Sequence, residues 1–343
     1  MSKPEVLFIL SIDTEEEWDW SSQFPSTDYS LDNIQKLPAF QAHCAKLGIR
    51  PTYFVDYAVA NAPGAQEVIT DIARSRHAEI GAHLHPWCNP PLFGETTDAS
   101  SHVVNLPLHQ TEAKLDSLMD VLENAVGVHP RSFRSGRWGM NGNVLALLRS
   151  RGFRVDSSVY PFYENDYFSC AGAPTTPYWP SLSDPLATGE QRDIMELPVT
   201  AGFNLKNARF AEKVHSHMSR SMLARLKAVG VLWHTRLLRK IYLSPELSSS
   251  KDMNRLIDSV LANQAPCIHM YLHSSSLIDG ATGLLPERHA FTKICNRMSD
   301  SLQYLQTRAN IKFCTITEAA EILSQRQPDA NPLFQPRSVH VTG

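Results

Sequence analysis

The sequence predicts an α/β fold of parallel strands, either a doubly wound sheet or a barrel, and three observations predict it. Short β-rich runs alternate with helical stretches nearly from end to end of the 343 residues. Repeated strand-then-helix order implies parallel strands joined by right-handed crossovers. Polar residues able to do chemistry gather at the carboxyl ends of the strand-like runs, the face on which parallel barrels carry their sites. Composition allows such a fold, since 43% hydrophobic and 20% charged residues suffice for a sizeable core.

The first run, Val6–Asp13, begins Val6-Leu7-Phe8-Ile9-Leu10. It is too short for a signal-peptide core or a membrane span, and reads as a buried strand. Further strand-like runs are Thr52–Val59, Glu79–His85, Ser132–Arg137, Arg154–Val159, Ile194–Val199, Cys267–His273 and Ile311–Thr315. Helical patterns lie between them at Leu31–Leu47, Ala65–Arg76, Thr111–Val126, Asn143–Arg151 and Asn254–Asn263, with Glu287–Arg308 and Glu318–Gln325 last. In Thr111–Val126, Leu115, Leu118, Met119 and Leu122 make one apolar stripe.

Two stretches break the rhythm. Tyr163–Arg192, rich in Pro, Ser, Thr and aromatics, is expected to be a long loop and a substrate-side lid. Residues 206–245 form an expected basic helical insertion, with nine Lys/Arg between Lys206 and Lys240 against the single acid Glu212. The expected organisation is one domain over residues 1–327 with an extended tail at 328–343. Net charge of −3 and a pI near 6.5 give no general attraction for nucleic acid. Six scattered cysteines without CxxC spacing, and no secretion signal, lead to an expectation of free buried thiols and a cytoplasmic protein.

The site is read from strand ends. Asp13 and Glu15 close the first run, His83 and His85 the third, Arg134 and Arg137 the fourth, Asp156 lies on the fifth and His273 closes the seventh. Side chains two apart on a strand share a side, which pairs Asp13 with Glu15 and His83 with His85. Two imidazoles with one or two carboxylates at one mouth can make a divalent-metal site with an open position.

Ser11-Ile12-Asp13-Thr14-Glu15, Glu79-Ile80-Gly81-Ala82-His83-Leu84-His85-Pro86-Trp87, Ser132-Phe133-Arg134-Ser135-Gly136-Arg137 and Tyr271-Leu272-His273 resemble the NodB-homology polysaccharide deacetylases, carbohydrate esterase family 4. The resemblance runs in order over roughly residues 5 to 325. It implies a distorted (β/α) barrel of about seven parallel strands, with a helical insertion in this chain, and a metal-dependent hydrolase that removes an N-acyl, chiefly N-acetyl, group from a sugar. By that resemblance Asp13 is the catalytic base, Arg134 orients it, and His273 is the general acid. The family's metal-binding Asp is replaced here by Thr14 and its second metal histidine by Trp87. Glu15, His83 and His85 are then the expected ligands of one divalent ion, zinc first, cobalt or manganese as alternatives. Arg137, Trp87, Trp138 and Asp156 are expected to bind substrate, and Asp156 or Glu196 to polarise His273. The implied partner is a carbohydrate, nucleotide- or lipid-linked, with at most peripheral membrane contact through the basic insertion. Two other readings remain at this point: an amide hydrolase of the same barrel acting on a small non-sugar amide, and a non-catalytic glycan- or lipid-binding barrel.

Overall fold

The computed structural model describes residues 3–19, 22–203, 239–285 and 288–326. All eight strand-like runs become strands, and all eight lie parallel in one curled sheet. At its centre is β1 (Glu5–Thr14), buried from its second residue onward. One edge of β1 pairs along Leu7–Asp13 with β9 (Cys267–His273). Its other edge is shared: β10 (Asn310–Phe313) pairs with Glu5–Phe8, and β2 (Thr52–Val55) with Ser11–Thr14. From β2 the sheet continues through β3 (Glu79–Leu84), β4 (Ser132–Ser135), β5 (Val155–Asp156) and β6 (Met195–Glu196).

The ends of the sheet meet where the chain beyond β6 runs beside β9. Thr200 N donates to the His269 carbonyl at 2.9 Å, and His269 N donates to Thr200 Oγ1 at 2.8 Å. A short antiparallel pair absent from the sequence reading, β7 (Ala201–Phe203) with β8 (Lys240–Tyr242), continues this seam. Tyr271 N donates to Leu243 O at 3.2 Å, so the segment after β8 lies against β9.

Period-two alternation divides β1 between two environments. Val6, Phe8, Leu10 and Ile12 join the large cluster formed with α1 (Leu37–Lys46), α2 (Tyr57–Asn61), α3 (Pro63–Arg74), α4 (Leu108–Val121), α5 (Gly142–Ser150), α6 (Ser250–Ala262) and α7 (Ala290–Arg308). Leu7 and Ile9 face inward with Phe54, Val155, Met195, Leu197 and Cys267, closed off by Ile316, Ala319, Ala320 and Leu323 of α8 (Ile316–Gln325). Along the inward series, Leu7 and Ile9 give way to buried Ser11 and Asp13. The interior is therefore apolar where strands begin and polar where they end, and the chemistry is confined to one mouth.

One strand boundary is corrected. The run Thr52–Val59 leaves the sheet after Val55, because Asp56 Oδ1 accepts the Val59 amide at 2.8 Å and starts α2 as its N-cap. Tyr163–Arg192 is a loop without helix or strand, but only its first part reaches the mouth; Trp179 joins the apolar cluster at the opposite end of the barrel. Of the basic insertion, residues 206–238 lie outside the described residues. The described end of it turns inward: Arg239 pairs with Asp252 at 3.2 Å, and Lys240 Nζ donates to the Phe162 carbonyl at 2.7 Å. All six cysteines are buried and unpaired. Among the described residues no helix is long and apolar enough to cross a membrane.

Candidate active site

Strand register assembles the site. Asp13 stands opposite His273 across β1 and β9, and His83 stands opposite Arg134 across β3 and β4. Arg134 is fully buried, and every polar end of its guanidinium is used. Nη1 reaches Asp13 Oδ1 at 2.5 Å, Nε donates to Ser157 O at 3.0 Å, and Nη2 donates to Ser157 Oγ at 2.8 Å. The planar group is sandwiched between the Phe54 and Trp138 rings, 4.5 and 4.9 Å from their centroids. One carboxylate oxygen of Asp13 is thereby held, and the other faces His273 Nε2 at 3.7 Å.

His273 has a partner that sequence reading missed. Its Nδ1 donates to Glu246 Oε1 at 2.7 Å, and its backbone N–H donates to Glu246 Oε2 at 3.1 Å. Burial pulls the imidazole down, but Glu246, with Glu15 and Asp13 behind it, raises it to about 10. The proton at Nε2 is thus retained and directed at the Asp13 side of the cavity. Neither acid proposed for this task from sequence reaches it. Asp156 and Glu196 are register partners on β5 and β6, both buried. Burial pushes both upward; the neighbouring Asp156 raises Glu196 further, while a hydrogen bond with Glu196 partly offsets the rise of Asp156, an arrangement in which the two share a proton. Asp156 does not line the cavity and makes no described contact with a ligand position.

Glu15, His83 and His85 converge. Glu15 Oε2 lies 3.5 Å from His83 Nε2 and 3.3 Å from His85 Nε2, and all three side chains are buried. Each imidazole is oriented from behind: His83 Nδ1 donates to the Arg134 carbonyl at 2.9 Å, and His85 Nδ1 lies 3.0 Å from Glu16 Oε2. Both Nε2 atoms then face Glu15, an arrangement in which the two imidazoles could hold a metal. Burial would raise Glu15, yet His273 and the two histidines outweigh it and hold the carboxyl far below the ordinary range. Burial would lower His85, yet Glu16 outweighs it and holds the ring well above its ordinary range. A cluster whose own field favours added positive charge, with two nitrogens and a carboxylate within 4.8 Å of one another, fits a divalent ion.

The wall opposite is aromatic. Trp138, Tyr160 and Tyr242 form a three-ring stack, at 4.4 and 4.1 Å between successive centroids, and Tyr160 hydrogen-bonds Tyr271 at 2.6 Å. With Asp13, Glu15, His83, His85 and His273, the rings of Trp138, Tyr160 and Tyr271 enclose a cavity of about 370 Å³, also lined by Trp18, Trp87 and Arg137. Arg137 and Trp138 take left-handed φ values of 61° and 64°, which turns both side chains back over the mouth. Gly136 before them cannot be replaced freely: an added Cβ would stand 2.2 Å from His85 Cδ2. Arg137 donates to Ser101 Oγ at 2.7 Å. Trp87, expected as a substrate contact, lines the cavity but is nearly enclosed, its Nε1 donating to Glu16.

No protein-family model matches the chain, and no curated protein matches it significantly. Solved structures do. A presumed polysaccharide deacetylase from Mycobacterium smegmatis is 16% identical, with a TM-score of 0.55 over 98% of this chain and 96% of that one. This chain has that fold. The distorted NodB-type (β/α) barrel expected from the strand-end motifs is therefore the architecture found. Lesser likenesses are to a family 4 acetyl xylan esterase from Clostridium thermocellum in complex with a cobalt ion, and to a CE4 family pseudoenzyme from Bacillus anthracis. The first is 13% identical with a TM-score of 0.41, over 93% of this chain and 92% of that one. The second is 10% identical with a TM-score of 0.40, over 93% and 66%.

Proposed function

We propose that the chain is a metal-dependent hydrolase removing an N-acyl group, N-acetyl foremost, from a sugar. The observation that carries the reading is the placing of Asp13 and His273 3.7 Å apart beside Glu15, His83 and His85 at one cavity. A base and an acid so placed have no use in a protein that only binds. Glu15, His83 and His85 would hold the ion, zinc by donor type, with cobalt or manganese as substitutes. Bound there, such an ion supplies polarisation of the acyl carbonyl and lowers the pKa of water toward ~7.

The chain's own groups do the rest. Asp13, fixed by Arg134 through one oxygen, takes the proton of the attacking water with the other. His273, kept protonated by Glu246, delivers its Nε2 proton to the departing nitrogen. Trp138, Tyr160 and Tyr271 give the cavity an aromatic wall for a sugar to lie against, while Arg137 supplies a polar contact at the rim. The expected result of elemental analysis on chelator-free protein is about one divalent ion per chain. Acetate release is expected from some member of a panel of acetamido sugars offered free, nucleotide-linked and lipid-linked. Protein that stays metal-free after added zinc, cobalt and manganese, and releases nothing across the panel, refutes the assignment.

A further inference from the structure

Behind His85 lies a set of buried groups that the chemistry above leaves unused: Glu16, Asp56, Trp87 and Cys88. The His85 Nδ1 atom is 3.1 and 3.0 Å from the two Glu16 oxygens. Trp87 serves this pair twice. Its ring stacks on His85 with centroids 4.2 Å apart and planes 27° from parallel, and its Nε1 donates to Glu16 Oε1 at 2.6 Å. One side chain thus fixes both the plane of the imidazole and the carboxylate that receives the imidazole's proton. His83, by contrast, is backed by a neutral backbone carbonyl. The two histidines are therefore unequal: only His85 is backed by a charged acceptor.

We propose that Glu16, held by Trp87, is a positioning residue that sets metal affinity by keeping the His85 proton on Nδ1 and Nε2 free toward Glu15. The inference rests on the metal reading of the preceding subsection. Its physical ground is that an ionised acceptor behind an imidazole fixes its tautomer and makes the far nitrogen a stronger donor to the ion. A rival arrangement uses the same atoms differently. Glu16, Asp56, His85 and Cys88 also bring ligand atoms within 4.8 Å of one another, so an ion could lie on the Nδ1 side instead. Two features oppose it. The Trp87 N–H already occupies Glu16 Oε1, and Glu16, Asp56 and Cys88 do not line the cavity, so an ion there would face no substrate.

The test uses the full chain, stripped of metal and titrated with zinc and with cobalt against a competing chelator. Glu16→Gln keeps the shape and an accepting oxygen but removes the charge. It is expected to weaken metal binding by ~10–100-fold, with the melting temperature of the metal-free protein little changed. Trp87→Phe keeps the stacked ring and loses the hydrogen bond, so a smaller loss of the same sign is expected; it decides alone should Glu16→Gln not fold. Wild-type binding with unaltered affinity in the folded variants overturns this inference and leaves the metal reading standing. A thiolate-to-cobalt charge-transfer band that vanishes in Cys88→Ser places the ion on the Nδ1 side and overturns it as well. A wild-type chain that binds neither ion overturns both readings together.

Discussion

Replacing Glu246 by Gln isolates the acid half of the mechanism. The amide oxygen of Gln still accepts the His273 Nδ1 proton, so the ring keeps its place while its counter-charge is lost. Burial lowers His273, and Glu246 is the largest influence raising it to about 10. An opposite charge in contact ordinarily moves a pKa by ~1–3 units, or ~1.4–4 kcal/mol, and at 2.7 Å the full range applies. The acid works only while protonated, so activity persists until pH rises through its pKa and then declines. The alkaline limb of the kcat profile should therefore fall by ~1–3 pH units in Glu246→Gln. A divalent ion beside Glu15 lowers His273 in both proteins, so the difference between them is the quantity to measure. Stability should follow the same sign. A histidine raised above its unfolded value near ~6.5 contributes fully below that pH and loses its contribution as pH climbs toward its folded value. Denaturation near neutral pH should show the variant weakened, with the gap closing as pH climbs toward the folded value of about 10. An unmoved alkaline limb, with turnover otherwise measurable, would refute His273 as the acid or Glu246 as its partner.

Asp13→Asn is expected to lower turnover by ~10²–10⁴ while the ion stays bound, read by steady-state kinetics beside elemental analysis. The same change leaves the Arg134 charge buried against a neutral group, so unfolding in denaturant should show a loss approaching ~3–5 kcal/mol. Gly136→Ala drives a methyl group into the His85 ring, and metal affinity should fall while circular dichroism reports an intact barrel. Glu196→Gln replaces one member of a proton-sharing pair by an amide able to donate to the orphaned Asp156 Oδ2. Because both carboxyls are raised, their cost appears as pH rises above the ordinary carboxylate range. The variant should gain on the order of 1–2 kcal/mol at neutral pH and nothing in acid.

The convergence of the site residues was legible because parallel strands bring like ends to like places. Asp13, His83, Arg134 and His273 each sit in a strand, and alternation carries Glu15 and His85 to the same side as their neighbours two residues back. What could not be read lies where pairing ceases to be periodic. Glu246 follows an antiparallel strand that comes after residues 206–238, and the hydrogen bonds of Leu243 with Tyr271 and Thr200 and of Arg297 with the Pro245 carbonyl bring it to His273. Its one sequence signal was an acid closing a strongly basic stretch. Glu16 was hidden in the run Glu15-Glu16-Glu17, where alternation selects Glu15 and gives its neighbour no place behind His85. Asp156 was misread because the strand that carries it is two residues long and pairs it with Glu196, away from the mouth. The early end of β2 is a contest between a β-branched run and a capping aspartate, and the cap prevails at Asp56.

Arg134 joins two parts of the site that belong to different strands. Its guanidinium grips the carboxylate of Asp13, and its carbonyl receives the proton of His83. Breathing of the sheet that shifts β4 must then carry Asp13 and His83 in the same direction. Such motion is common-mode: the frame drifts, while the separation between Asp13 and His83 changes little. Proton transfer tolerates errors of only ~0.5 Å, and a barrel at growth temperature fluctuates by amounts of that order. Tying both groups to one residue lets the scaffold remain supple without detuning the reaction, and it makes position 134 the place where a small substitution would convert harmless vibration into misalignment.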